Sequence, residues 1–444
     1  MARVAAPVAA WALTRAGLLL LVLQVVTLPG PDVTSDVEVI YHGWYEVLRT
    51  GTFPVDDVSW QYPPGAALPV LSPGLLPFLG YAPAFFALAC AADAAVLALL
   101  LRAGVGLSQA GRSRAGAWFW VAGVPLLGPT AYARYDVMVT AVAVAALLAA
   151  ARRPGVAGAL AGFGVMLKVW PALVLLGAAR GRAARLSWGA AAGTAAGVAL
   201  LAAVALPGAF DFVTAQRDRG TEVESLGALV FHVGRHHGWD GTVQLHYGSM
   251  EFLGPGVGLV SDLALGLSAL AMGWLVLWRL RAREFTATTG CEAAFAGTLL
   301  FTTTSRVISP QYLIWLVGLA AVCLTLRAVR MALPAGLVLA ATGVTLAEFP
   351  VWFGEVVGST WSGIALLALR NGLLVAATAV ACRRLWRSTV TEPERRARDG
   401  HAGVPRQRGR TAPGAGSEAG SGAGSGGGSA SASGSAPEGE TLTW

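Results

Sequence analysis

Residues 13–28 read LTRAGLLLLVLQVVTL, an apolar run that gives way at once to a polar, aromatic loop spanning 32–64. No small-residue cleavage site follows the run, so it reads as a retained membrane span with the N-terminus on the cytoplasmic side, not as a removed signal peptide. The loop carries Asp36 and Glu38 near its start and Trp60-Gln61-Tyr62-Pro63-Pro64 at its end. A carboxylate just beyond the first span, at the bilayer rim, can take a proton from a hydroxyl while the reaction partner stays dissolved in lipid. The loop therefore points to chemistry on lipid-linked molecules.

Working outward, the 444 residues are 55% hydrophobic and only 13% charged, too apolar for a soluble protein of this length. The chain reads as a polytopic membrane protein. Its formal charge of +7 comes from arginines grouped at the ends of apolar runs, which sets topology and does not suggest a nucleic-acid partner. Cys90, Cys291, Cys323 and Cys382 lie in or beside apolar runs without CxxC spacing, so neither a disulfide framework nor a zinc site is expected.

With roughly 20 apolar residues needed to cross a bilayer, spans are expected at 13–28, 82–101, 115–131, 137–151, 186–206, 256–278, 291–304, 313–326, 331–347 and 363–382. Segment 155–179 is apolar too, but Lys168-Val169-Trp170-Pro171 interrupts it. A proline after a charge at mid-depth predicts two short half-helices meeting at a polar turn. The arginine clusters at 102–114, 152–153, 180–185, 279–283, 327–330 and 383–387 fall on one side, which the positive-inside rule makes cytoplasmic. The other side receives 32–64, Arg134-Tyr135-Asp136, 207–253, 305–311 and 348–361, so the polar chemistry is expected on the outer face. Residues 1–390 form the membrane domain. From 391 to 444 a Gly/Ser-rich tract cannot bury enough apolar surface to order, and a disordered cytoplasmic tail is expected.

Within the outer segments, Asp36 and Glu38 share a face on a strand and diverge by about 200° on a helix, so only one is expected to point into a given cavity. Lys168 is the chain's single lysine. In an arginine-using sequence it suggests either a compact ammonium for a phosphate or a cation that snorkels to satisfy a broken helix. The stretch Arg217-Asp218-Arg219-Gly220-Thr221-Glu222-Val223-Glu224-Ser225 reads as a self-paired surface network or an anion entrance, with charge alone favouring the first. His232, His236 and His237 follow, without a carboxylate at ligand spacing, and read as surface or interfacial histidines. Arg306, Gln311 and Tyr312 sit in a proline turn between two runs, Asp136 begins another, and Arg370-Asn371 lie inside the last. Ionisable groups at membrane depth usually face a cavity or one another, so these groups are expected to line one pocket.

Taken together, Asp36, Trp60-Gln61-Tyr62-Pro63-Pro64, Arg134-Tyr135-Asp136, the run from Ala157-Gly158 to Lys168-Val169-Trp170-Pro171, Arg219-Gly220, Glu224-Ser225, Ser309-Pro310-Gln311-Tyr312 with Trp315, and Arg370-Asn371 resemble glycosyltransferase family 87. These are polyprenyl-phosphate-mannose-dependent membrane enzymes of the glycosyltransferase-C fold. The resemblance implies an all-α polytopic bundle of about ten to twelve transmembrane helices whose first outer loop bears the catalytic carboxylate. It also implies inverting transfer of a hexose, mannose by default, from a polyprenyl-phosphate donor to a hydroxyl of a glycolipid or glycan acceptor at the outer membrane face, with no need of a nucleotide-sugar site; no cofactor is expected. Asp36 matches the general base. Lys168, Arg219 and Arg306 would face the donor phosphate, and Glu38, Trp60, Tyr62, Asp136, Glu224, Gln311 and Tyr312 the substrates. A transporter or flippase for a lipid-linked or anionic substrate is the competing class, since broken helices with a mid-depth charge mark transport sites as well.

Overall fold

The computed structural model describes residues 2–55, 57, 59–105, 111–215 and 220–393. Arg217, Asp218 and Arg219, and the tail from residue 394 onward, lie outside the described residues. The helices, in chain order, are α1 (Ala2–Val22), α2 (His42–Leu48), α3 (Ala67–Leu71), α4 (Tyr81–Val105), α5 (Ala115–Gly123), α6 (Asp136–Ala150), α7 (Pro154–Leu167) and α8 (Arg182–Ala205). They continue as α9 (Phe212–Ala215), α10 (Ala228–Arg235), α11 (Val257–Arg281), α12 (Thr289–Thr303), α13 (Tyr312–Leu324), α14 (Ala332–Leu346), α15 (Phe353–Val357) and α16 (Trp361–Trp386).

Every expected apolar run contains a helix, but they are not equal spans, and the first, expected at 13–28, is helical only to Val22. Among the described residues, six helices are long and apolar enough to cross a bilayer, or seven if one sharply bent pair counts as a single span. The run at 115–131 is broken: α5 stops at Gly123 and a 3₁₀ segment, Pro125–Ala131, follows, bent by 120° from α6. Pro125, Pro129 and the positive φ of Gly128 explain the break, because none of them continues an α-helix. Helix α13 is only about 20 Å long, and it is buried on all sides, so it serves as a core pillar around which the other helices pack.

Segment 155–179 forms the expected broken hairpin. Helix α7 ends where Lys168 turns extended (φ −162°, ψ 139°), and a 3₁₀ stretch, Trp170–Leu175, leads the chain back. The Cβ-less faces of Gly158 and Gly162 lie against the backbone of Ser187 and Ala191. This pairing makes α7 and α8 parallel, so the chain between them must return the length of α7. Lys168 is therefore the tip of a re-entrant hairpin, held deep in the bundle. At the opposite end the arginine-rich loops bind one another: Arg327 N–H donates to Gly111 O (2.8 Å), Arg283 N–H to Thr389 O (2.9 Å), and Arg330 pairs with Glu392 (2.7 Å).

Two features depart from the sequence reading. The chain is not wholly α, because β1 (Thr221–Glu222), β2 (Thr242–His246) and β3 (Ser249–Leu253) form an antiparallel sheet in the order β1-β3-β2. Its strands are too short to give a clear period-2 signal. A polar knot is also buried away from the expected polar rim: Arg15 on α1 pairs with Asp93 on α4 at 2.7 Å. The Asp93 carboxylate also accepts from Trp11, Trp120 and Tyr132. With its hydrogen bonds made, this pair braces α1, α4 and α5.

Candidate active site

The polar segments read from the sequence converge on one cavity of about 980 Å³. Its walls come from the first loop, the α5–α6 turn, the α7 tip, the β2–β3 hairpin, α11, and the turns before α13 and α15.

The first loop is ordered from its start, because Asp32 Oδ1 accepts from Thr34 N–H (2.9 Å) and Thr34 Oγ1 (2.7 Å) in an Asx turn. Asp36–Tyr41 then form a π-helical turn that runs into α2. Such turns recur at functional sites because they re-aim side chains. Asp36 lines the cavity, whereas Glu38 is exposed and does not; the structure therefore removes Glu38 from the substrate wall, the divergence a helical backbone imposes. Asp36 Oδ2 lies 2.6 Å from Arg134 Nη2, and Arg134 Nη1 donates to Val33 O (3.2 Å) and Ala133 O (2.8 Å). The guanidinium thus fixes both the carboxylate and the backbone before it. Beside them the Tyr41 hydroxyl is buried, and burial, with Tyr62 adding, pushes its phenol well above the ordinary range.

At the hairpin tip, Lys168 Nζ lies 2.7 Å from Asp136 Oδ1. It stands 5.1 Å from the ring centres of Tyr62, Tyr135 and Trp315 and 5.7 Å from that of Tyr312. An ammonium boxed by π-faces and a carboxylate is held in place. The same Asp136 oxygen accepts from Trp315 Nε1–H (2.6 Å). Asp136 is buried and is absent from the cavity wall, so it stands behind Lys168 and not against a substrate as the sequence reading had it. Trp60 is displaced likewise. It is buried against Trp44 and Phe53, donates to Tyr62 O (2.9 Å), and supports Tyr62 and Trp44, which do line the cavity. Tyr312, Trp315 and Trp170 stack in succession at 4.1 and 5.3 Å and form the wall beside Lys168, with Gln311 next to them.

The same cavity also has acidic lining, from Glu222 and Glu224. Glu222 accepts from Ile308 N–H (2.7 Å) and Ser309 Oγ (2.8 Å), which ties β1 to the turn before α13. Arg306 reaches Ser261 Oγ on α11 (3.1 Å) and lines the cavity. Below, Arg370 holds Glu348 in a buried two-pronged pair at 2.8 and 2.9 Å and donates to Ile308 O and Glu224 O. Glu222 and Glu224 are both buried, so the described part of the segment, from Gly220 onward, does not lie on the surface. His232, read from the sequence as a surface or interfacial histidine, is buried as well. Its Nε2 meets Val223 O and its Nδ1 meets Ser359 Oγ, each at 2.8 Å, so it locks the strand segment to the start of α16.

The structure thus assembles Asp36, Tyr62, Lys168, Glu224, Arg306, Gln311 and Tyr312 around one space, a set scattered over the sequence from the first loop to the α13 turn. The model of glycosyltransferase family 87 matches residues 60–310, more than half of the chain. The chain belongs to glycosyltransferase family 87. It is accordingly a membrane glycosyltransferase, and the cavity is its candidate active site. Searches of curated proteins and of solved structures find no match. Sequence reading missed two partners in this family 87 site. It saw Arg370 inside a span without Glu348, although an acid ending one apolar run and a cation within the next was the available signal. It saw Arg134 and Asp36 without their pairing, for which a separation of nearly one hundred residues left no signal.

Proposed function

We propose that this enzyme moves a hexose, mannose in the default case, from a polyprenyl phosphate to a hydroxyl of a glycolipid or glycan, with inversion and at the outer membrane face. The observation that carries the reading is the shape of the cavity. Its lining includes one face of α11, Asp262, Leu265 and Ser268, together with Phe301 of α12. Leu265 is exposed, and α11 is among the least buried long helices. A groove of this kind lets a lipid tail lie along α11 while its head group enters the polar chamber.

In this reading Asp36 takes the proton from the acceptor hydroxyl as that oxygen bonds to the sugar C1. The C1–O bond to phosphate breaks and the phosphate leaves with the electron pair. Attack opposite the leaving group inverts the anomeric centre. Arg306 and Lys168 stabilise the departing phosphate, with Arg219 a third candidate in the adjoining segment. Lys168 is already balanced by Asp136, so its contribution is a positioned donor more than net charge. Tyr62 and Tyr312 offer ring faces to a sugar. The test is transfer in sealed membrane vesicles of known orientation, given a polyprenyl-phosphate hexose and a water-soluble alkyl hexoside as acceptor. Product should form in right-side-out vesicles. Transfer only in inverted vesicles would refute the orientation, and none in either would refute the donor class.

A further inference from the structure

Glu224 stands apart from the other carboxylates at the cavity. Its backbone is pinned, because its carbonyl accepts from Arg370 Nη2 (3.0 Å) and Asn371 Nδ2 (3.3 Å). The side chain, 6% exposed, lines the cavity, yet its Oε1 finds no hydrogen-bond partner among the described residues. The nearest cationic atom, Arg370 Nη2, is 3.7 Å away and already donates to Glu348 at 2.9 Å. A buried carboxylate without donors is costly, and a single guanidinium cannot neutralise Glu348 and Glu224 together. Glu222 differs, since Ile308 N–H and Ser309 Oγ stabilise its anion. The balance leaves the proton on Glu224.

We propose that the Glu224 carboxyl acts as a neutral acid that binds a sugar hydroxyl in the site, donating through its O–H and accepting through its other oxygen. This inference rests on the glycosyl-transfer reading. A neutral acid satisfies an alcohol in both directions and does not repel a phosphate nearby, whereas a carboxylate only accepts. Its position favours a ring held between it and Asp36, because the two carboxyl groups line the same cavity. Burial holds the Glu224 carboxyl well above the usual range. Glu348 and Glu222 push the same way, and Arg370 and Arg134 oppose them. The hydroxyl belongs either to the transferred hexose or to the acceptor sugar, and the two are separable by experiment.

The experiment measures tryptophan quenching on the purified full-length enzyme with a short-chain isoprenyl-phosphate hexose, the same isoprenyl phosphate without sugar, and an alkyl hexoside. Binding is followed beside turnover, so inactivity of the wild type on this donor would count against the transfer reading while the binding arms still judge Glu224. Glu224→Ala should weaken one sugar-bearing probe about ten- to hundred-fold, as loss of a buried hydrogen bond does, and leave the sugarless phosphate unchanged. Weakening of the isoprenyl-phosphate hexose assigns the contact to the donor, and weakening of the alkyl hexoside assigns it to the acceptor. Glu224→Gln, which keeps a donor and an acceptor, should stay within about threefold of wild type. At rising pH, wild-type binding should weaken as the proton leaves while the Gln variant holds, a comparison that survives if the Ala variant misfolds. Equal loss in Gln and Ala, loss of the sugarless probe, or no loss at all would overturn the proposal.

Discussion

Replacing Asp36 by Asn changes one charge and almost no volume, and the structure separates its two consequences. The amide oxygen can still accept from Arg134 Nη2, which now lies 2.6 Å from the carboxylate. A charge-assisted bond worth about 1.5–3 kcal/mol thus becomes a neutral one of about 0.5–1.5 kcal/mol. The Asp36 side chain is 30% exposed, so solvent reduces the difference further, and stability should fall by only about 1 kcal/mol. Transfer to an alcohol should fall far more, by roughly 10²–10⁴-fold, because an amide cannot take the proton. Azide as acceptor distinguishes the two effects, since it attacks the sugar without giving up a proton. The Asn variant should therefore form glycosyl azide at close to the wild-type rate while failing with the alcohol. If it transfers to the alcohol normally, or is as inactive with azide as with the alcohol while folded and inserted, Asp36 is not the base.

Lys168→Met should weaken use of the phosphate donor about ten- to hundred-fold in its concentration dependence, with Lys168→Arg restoring only part, because the planar fork does not fit the four-ring box around Nζ. An unchanged donor curve on the folded variant would leave the lysine a structural role with Asp136. Glu348→Gln leaves the buried Arg370 without its main anion and should cost about 3–5 kcal/mol in detergent unfolding; it should also lower the pH at which Glu224 loses its proton, since Arg370 would then serve Glu224 alone. His232 is held below its ordinary value, first by burial, so the unfolded chain takes up the proton before the folded one does. Stability should therefore fall as the pH drops below about 6.5, and His232→Gln should flatten that part of the curve between pH 6.5 and 5.

What the sequence determined was whatever each segment carries within itself. Apolar length gave the helices α1, α4 to α8, α11 to α14 and α16, and the proline after Lys168 gave the broken hairpin, since a missing N–H acts on its own turn. The polar segments could be assigned to a common side because arginine clustering is a property of the chain and needs no contact. Tertiary structure decided which side chains meet. Glu38 and Trp60 sit in the same polar loop as Asp36 and Tyr62, yet one points to the exterior and the other packs beneath the wall, because direction depends on the π-helical turn and on aromatic packing. Likewise Asp136 is silent in the sequence as to whether it faces a ligand or Lys168, and the depth reached by α7 settles it. Arg15 with Asp93 and Arg370 with Glu348 each find a partner across the bundle. Burial makes such pairings obligatory, since an unpaired charge in an apolar interior is too costly, but which partner satisfies it is fixed only when the helices pack.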